Sequence, residues 1–148
     1  GSNLRSERDT MGVNAKIRHT QKALTTTVFT GAAPQTVTGN SVLMLDIMPG
    51  TMSANVYANA KTNNLTLTAK WQVSNDNSTF VDVKMPNNAA NVVVVTGTGS
   101  NVTDTICLVA PDAVYAKRYA RVVVVSGVGV GDGVDDKASV SYNWRLAD

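Results

Sequence analysis

The 148-residue chain has very few of the residues on which most catalytic and metal sites depend. It contains one cysteine, Cys107, and one histidine, His19. A single cysteine excludes an internal disulfide, and the apolar stretch TICLVA around it predicts a buried structural thiol. Nucleophilic catalysis needs a base beside the nucleophile, and we expect His19, in a charged N-terminal stretch, to be solvated. We therefore predict a protein that is not an enzyme.

Metal ions, cofactors, nucleic acid and membranes are not expected as partners either. No Cys/His spacing indicates zinc, and no glycine-rich phosphate loop lies between a strand and a helix. The stretch GDGVDDK places Asp132, Asp135 and Asp136 together but lacks the ligand spacing of a calcium loop, which predicts a hairpin tip. A net charge of +2 is too small to indicate nucleic acid. No stretch approaches the roughly 20 consecutive apolar residues of a membrane span.

The residues that are abundant are those of β-structure. Val and Thr favour strands, whereas Asn and Gly favour turns. Separators rich in Gly, Pro and Asn divide the chain into predicted strands at 23–30, 41–48, 53–59, 65–74, 79–85, 91–96, 102–109, 118–126 and 138–146. Eight or nine strands at this spacing predict an all-β chain that forms a sandwich, jelly roll or barrel. Of these we favour a single antiparallel β-sandwich that is jelly-roll-like, and the spacing leaves an immunoglobulin-like topology open. One helical turn is expected at PDAVYAK, with Pro111 at its first position.

Alternation along the strands predicts which side chains form the core. In LTLTAKWQVS the apolar face carries Trp71, and in the last strand it carries Trp144, so both rings are expected in the core. Two runs, residues 92–95 and 122–125, contain four consecutive valines and therefore have apolar side chains on both faces. The second face of each run needs a cover from a loop, the N-terminal arm or another subunit, which favours oligomerisation.

Two segments carry the predicted partner contacts. We expect residues 1–22 to form an N-terminal extended arm and residues 23–148 to form the sandwich domain. The arm is basic and poor in apolar residues, so it cannot fold alone and is expected to be held by a partner. The loop SGVGVGDGVDDK carries isolated valines, which are expected to project and cover a neighbour or the arm. The predicted contact residues are Arg5, Arg8, Lys16, Arg18, Val128, Val130 and Val134.

Two longer motifs resemble a known family. WQVSNDNSTFVDV at residues 71–83 and APDAVYAKRYARV at residues 110–122 are similar to stretches of tailed-phage capsid decoration proteins, also called cement or head auxiliary proteins. The resemblance implies a non-enzymatic virion protein on the capsid surface that stabilises the shell. Its implied partners are the major capsid protein and further copies of itself, with a homotrimer favoured. A carbohydrate-binding β-sandwich module of a phage fibre or receptor-binding protein is the alternative, with Tyr57, Tyr115 and Tyr119 as its free rings.

Overall fold

The computed structural model describes residues 17–84 and 92–147. Within these ranges the chain forms ten β-strands and one four-residue helix, and no helix is long and apolar enough to cross a membrane. The elements are β1 (His19–Val28), β2 (Thr36–Thr38), β3 (Val42–Leu43), β4 (Ser53–Ala60), β5 (Thr66–Ser74), β6 (Val81–Asp82), β7 (Val92–Thr96), β8 (Val102–Val109), α1 (Asp112–Tyr115), β9 (Tyr119–Gly127) and β10 (Lys137–Trp144).

The strands form two antiparallel sheets with the order of a jelly roll. The first sheet has the order β1-β10-β4-β8. In the second sheet β9 and β5 are central, β2 and β3 share the outer edge of β9, and β6 and β7 share the outer edge of β5. If each of these two short pairs is counted as one interrupted strand, the orders become 1-8-3-6 and 2-7-4-5. Strands equally far from the two chain ends then pair with each other, as when one long hairpin rolls up into a sandwich. The predicted all-β, jelly-roll-like sandwich is confirmed.

The core lies between the sheets and centres on an aromatic pair. Trp71 and Tyr142 are fully buried and stacked, with ring centroids 5.8 Å apart. The Tyr142 hydroxyl accepts a hydrogen bond from the Val122 amide (2.9 Å) and donates one to the Asn40 carbonyl (2.8 Å). Burial raises the pKa of Tyr142 to about 12, so the hydroxyl keeps its proton. A Cβ on Gly39 would lie 2.8 Å from this hydroxyl, so the position requires glycine.

The other tryptophan and the two valine runs differ in how they are covered. Trp144 is only half-buried, at the rim, where it packs against the core. In the run on β9, Val123 faces away from the core and is nevertheless fully buried by the chain itself. In the run on β7, the outward-facing Val93 is 54% exposed. The fold therefore covers one of the two runs and leaves the other open.

The first strand begins earlier than the sequence predicted. β1 starts at His19 rather than at residue 23, and its first residues pair with the end of β10. The boundary at residues 22 and 23 thus falls inside a strand. β1 is an edge strand with one face in solvent, so its first residues are polar. A prediction based on apolar alternation therefore did not detect the start of the strand.

Candidate functional site

The predicted contact residues divide between the two ends of the sandwich. The Tyr115 end comprises loops 44–52, 75–80 and 110–118 together with the chain entry at residues 17–18. The Asp136 end comprises loops 29–35, 61–65, 97–101 and 128–136. Arg18 lies at the Tyr115 end, whereas the three loop valines lie at the Asp136 end. The structure therefore does not bring these two sets together, and Arg5, Arg8 and Lys16 lie outside the described residues.

The Tyr115 end contains an open groove with a volume of about 450 Å³. Its apolar rim is formed by Leu43, which is 48% exposed, and Leu45, which is 79% exposed. Loop 44–52 presents Leu45 to solvent because its neighbours Met44 and Ile47 turn inwards and are buried. The stretch SVLMLDIM is apolar at nearly every position, so the reasoning applied to the valine runs would have found this surface.

Helix α1 holds one wall of the groove in place. The predicted helical turn is confirmed, with Pro111 as the residue before it and Val114 buried beneath it. The hydroxyl of Tyr115, a groove residue, accepts a hydrogen bond from the Met52 amide at 2.9 Å and so ties α1 to loop 44–52. Lys117 adds a cationic side chain to the rim. The groove can therefore accept an apolar side chain bordered by an acidic or carbonyl group.

The chain entry beside this groove corrects the interpretation of His19. The imidazole is not a solvated arm residue, since it stacks on Trp144 with centroids 6.1 Å apart and planes at 18°. Its buried Nε2 has no hydrogen-bond partner among the described residues, and neither has Nε of Arg145. Arg18 donates from Nη1 to the Thr51 carbonyl at 3.3 Å, which fixes the chain against loop 44–52.

The Asp136 end is organised by one fully buried carboxylate. Asp136 accepts hydrogen bonds from the amides of Lys61 (2.7 Å), Thr62 (3.1 Å) and Asp132 (2.9 Å) and from the Thr62 hydroxyl. Burial opposes its ionisation, but these hydrogen bonds outweigh burial and hold its pKa below the usual range. The expected hairpin tip is therefore anchored at its base to its own domain. The described residues contain no group of three or more His, Cys, Asp or Glu side chains that could hold a metal ion.

Beyond this anchored base, the loop valines are exposed. Val128 and Val134 are each 67% exposed and Val130 is 57% exposed. Val128 also has φ +57°, in the left-handed region that a β-branched residue rarely adopts. An exposed and strained valine adds nothing to the stability of an isolated domain, and strain of this kind is concentrated at functional positions.

Cys107 is exposed, which corrects the prediction of a buried thiol. It lies on β8, where Ile106 and Leu108 point towards the core and Cys107 points outwards between them. The apolar run around it was misleading because strand alternation sends every second residue of such a run to the opposite face.

The tyrosines proposed for a sugar site do not form one row. Tyr57 lies on the outer face of β4, between Ser139 of β10 and Thr105 of β8. Tyr115 and Tyr119 line the groove at the Tyr115 end. A platform of three adjacent rings is therefore not formed by these residues.

Comparisons with known proteins place the fold. No protein-family model and no curated protein matches the sequence. The structure of infectious bursal disease virus, Gx strain, aligns over 86% of this chain and 31% of that chain, with a TM-score of 0.53 and 16% identity. The VP2 subviral particle of the same virus aligns over 86% of this chain and 32% of that chain, with a TM-score of 0.53 and 18% identity.

These likenesses define the class of fold. The chain is similar to the jelly-roll β-sandwich found in a viral-particle protein, and it spans about a third of the length of the chains it matches. Tailspike protein 4 of bacteriophage CBA120 aligns with a TM-score of only 0.38 at 12% identity, which is too distant to support an inference. At these identities the comparisons show the fold alone.

Proposed function

We propose that this chain is a non-enzymatic virion structural protein, a capsid decoration or cement protein that binds and stabilises the shell of a phage capsid. Its partners are the major capsid protein and further copies of itself, with a homotrimer favoured. One observation carries the proposal: large apolar side chains are exposed at both ends of the sandwich, at Leu43 and Leu45 and at the three loop valines. Exposed apolar clusters of this kind are typical of protein contact sites.

The geometry suits a protein that contacts one neighbour at each end. The sandwich itself is closed by a continuous core, so the exposed clusters are not needed for folding. The jelly roll that the chain shares with the VP2 particle is a fold used for building shells, which is compatible with the proposed location on the capsid surface. The fold alone does not name a function, so the end clusters remain the main support.

The basic arm is assigned a contact role in this proposal. Arg5, Arg8 and Lys16 would meet acidic or carbonyl-rich surface on a partner, with each exposed ion pair contributing only about 0–1 kcal/mol. Arg18 differs from these three because its guanidinium already binds the Thr51 carbonyl. This bond uses one of the five donors of the guanidinium, so Arg18 keeps its proposed partner contact while lying against loop 44–52.

Co-sedimentation with capsid shells that lack this chain tests the proposal. We expect saturable binding by the wild-type chain and weaker binding by the variants Leu45→Ser and Val128→Gly. Val128→Gly is informative because it relieves the strained φ, so it should raise the stability of the free domain by about 1 kcal/mol while weakening shell binding. Val93→Ser is the comparison variant, since Val93 is 54% exposed but lies in neither end cluster: it separates the end clusters from the open valine run as the surface that contacts the shell.

Three outcomes would contradict the proposal. The first is absence of shell binding by a wild-type chain that is folded by circular dichroism. The second is binding of the free chain to a glycan, lost on substitution of Tyr57, Tyr115 or Tyr119, which would favour the alternative carbohydrate-binding module. Equal loss of shell binding in Val93→Ser and in the end variants would show that the end clusters are not the contact.

A further inference from the structure

β8 is a sheet edge that lacks most of the usual protection. It pairs with β4 along all eight residues without a register shift and has no partner on its other side among the described strands. The other edges are irregular or short: β1 contains two register shifts, β7 contains one, and β2, β3 and β6 have only two or three residues. Natural sheets protect long edges with bulges, prolines and charges. Among the described edge strands, β8 alone is both long and regular.

The register identifies which backbone groups face the free edge. The Ala110 amide donates to the Met52 carbonyl at 3.0 Å, and the β4–β8 register places these two residues opposite each other. Because hydrogen-bonded and non-hydrogen-bonded positions alternate in an antiparallel pair, the even-numbered residues of β8 bond to β4. The backbone amides and carbonyls of the odd-numbered residues therefore point away from the sheet; these residues are Thr103, Thr105, Cys107 and Val109.

The side chains along this edge carry almost no charge. Thr103, Thr105, Cys107 and Val109 are exposed and neutral, so two such strands could lie side by side without repulsion between them. Asp104 is the one charged residue of β8, and its Oδ1 accepts a hydrogen bond from the Thr105 amide at 2.7 Å. The Thr105 amide at the free edge is thus already bonded to the Asp104 carboxylate. A carbonyl of a partner strand would have to replace the carboxylate as its acceptor.

We infer that β8 pairs antiparallel with β8 of a second copy of this chain, joining two four-stranded sheets across a two-fold axis. A two-fold contact requires a surface that is complementary to itself, and an antiparallel edge meets this requirement through its repeating donors and acceptors. A second copy is the favoured occupant because no other described strand offers a regular edge of matching length. This contact differs from the three-fold contact of a trimer, and it does not depend on the proposed role in a capsid.

One strand pair is a small interface. Stable interfaces bury roughly 800 Å² on each partner, which is more than a single eight-residue edge supplies. We therefore expect the free chain to form this contact reversibly and at high protein concentration, or when other contacts already hold the copies together.

The lone thiol makes the contact directly measurable. Cys107 is the only cysteine of the chain, is exposed and lies on the proposed seam, so two copies would bring their thiols within reach of a short cross-linker with two thiol-alkylating groups, such as a bis-maleimide. We expect covalent dimers whose yield rises with protein concentration. The matched control is the double variant Cys107→Ser with Thr25→Cys, which moves the single thiol to the exposed, bulged edge of β1 and should yield no dimers.

Variants of the edge separate strand pairing from random collision. Thr105→Pro removes an edge donor that is not used in the β4 ladder, and Thr105→Lys places like charges across the seam. Either change should weaken dimerisation by about tenfold, because it occurs twice in a two-fold interface. Asp104→Asn should instead raise the dimer yield, since it removes the charge beside the seam.

Three results would overturn the inference: no dimers at high concentration while Cys107 reacts fully with a monofunctional thiol reagent, equal dimer yields in the Thr25→Cys control, or unchanged yields in a folded Thr105→Lys variant.

Discussion

At the scale of single residues, Asp136 is the side chain that fixes the β9–β10 loop to the rest of the domain. Asp136→Asn should lower the free energy of unfolding by roughly 2–3 kcal/mol, because a hydrogen bond to a charged group contributes about that much and the amide cannot accept from every donor around it. Asp135→Asn is the matched control. Asp135 forms one partly exposed ion pair, with the Lys61 ammonium at 3.5 Å. Asp135→Asn should therefore change the free energy of unfolding by no more than about 1 kcal/mol.

The pH dependence of stability gives a second measure of the same carboxylate. Folding lowers the pKa of Asp136, so its contribution is fully present above the unfolded pKa, about 3.9. The contribution is lost as the pH falls from there through the folded pKa. Chemical denaturation between pH 7 and pH 2 should therefore show wild-type stability converging on that of Asp136→Asn. A constant gap between the two proteins would contradict this assignment.

Tyr142 makes the matching prediction at alkaline pH. Tyr142→Phe leaves the Val122 amide and the Asn40 carbonyl without their buried partner, and should cost about 1–2 kcal/mol of unfolding free energy. Since the hydroxyl has a pKa of about 12 in the fold against 10.0 when free, its contribution is complete below pH 10 and is lost between pH 10 and pH 12.

A matched tyrosine variant controls for the removal of a hydroxyl. Tyr57→Phe should be nearly neutral, because the Tyr57 hydroxyl makes no hydrogen bond within the described residues. A difference between wild type and Tyr142→Phe that does not narrow above pH 10, measured by denaturant unfolding, would count against the buried hydroxyl.

At the scale of elements, alternation predicted most strands but not their ends. The stretch 65–74 and the last strand were found because one face is apolar throughout. β1 was placed too late, because its first residues are polar and their contact with β10 depends on residues more than a hundred positions away. Thr20, for example, donates from its hydroxyl to Oδ1 of Asn143 at 3.0 Å. Local sequence contains no signal for such a partner.

The corrected start of β1 changes the design of an arm deletion. Removing residues 3–16 should leave the midpoint of thermal unfolding equal, within experimental error, to that of the full chain. Removing residues 3–20 should lower this midpoint. The longer deletion eliminates the His19–Trp144 stack and the first ladder pairs of β1. Thermal unfolding, monitored by tryptophan fluorescence, gives the midpoint for both deletion variants. Equal midpoints for the two deletions would mean that the first two residues of β1 do not stabilise the sandwich.

At the scale of the whole molecule, the sandwich was predictable and the arrangement of its surfaces was not. Strand number and turn spacing reduced the possibilities to a sandwich, jelly roll or barrel, of which the favoured jelly-roll-like sandwich is the one observed. Strand order determines which loops lie together at each end of the sandwich, and alternation does not encode strand order. It therefore could not predict that Arg18 and the loop valines lie at opposite ends, or that loop 44–52 and α1 form a groove. The exposure of Cys107 was predictable from local alternation along β8. It was missed because the surrounding apolar residues were taken to indicate burial of the whole stretch.

The central claim is that this chain stabilises a shell by contacting its neighbours, and the temperature at which shells rupture tests it most directly. Shells lacking the chain should rupture at a higher temperature after saturation with wild-type protein. The increase should be smaller with Val128→Gly or Leu45→Ser and unchanged with Val93→Ser. An identical rupture temperature with and without saturating, shell-bound wild-type protein would contradict the account.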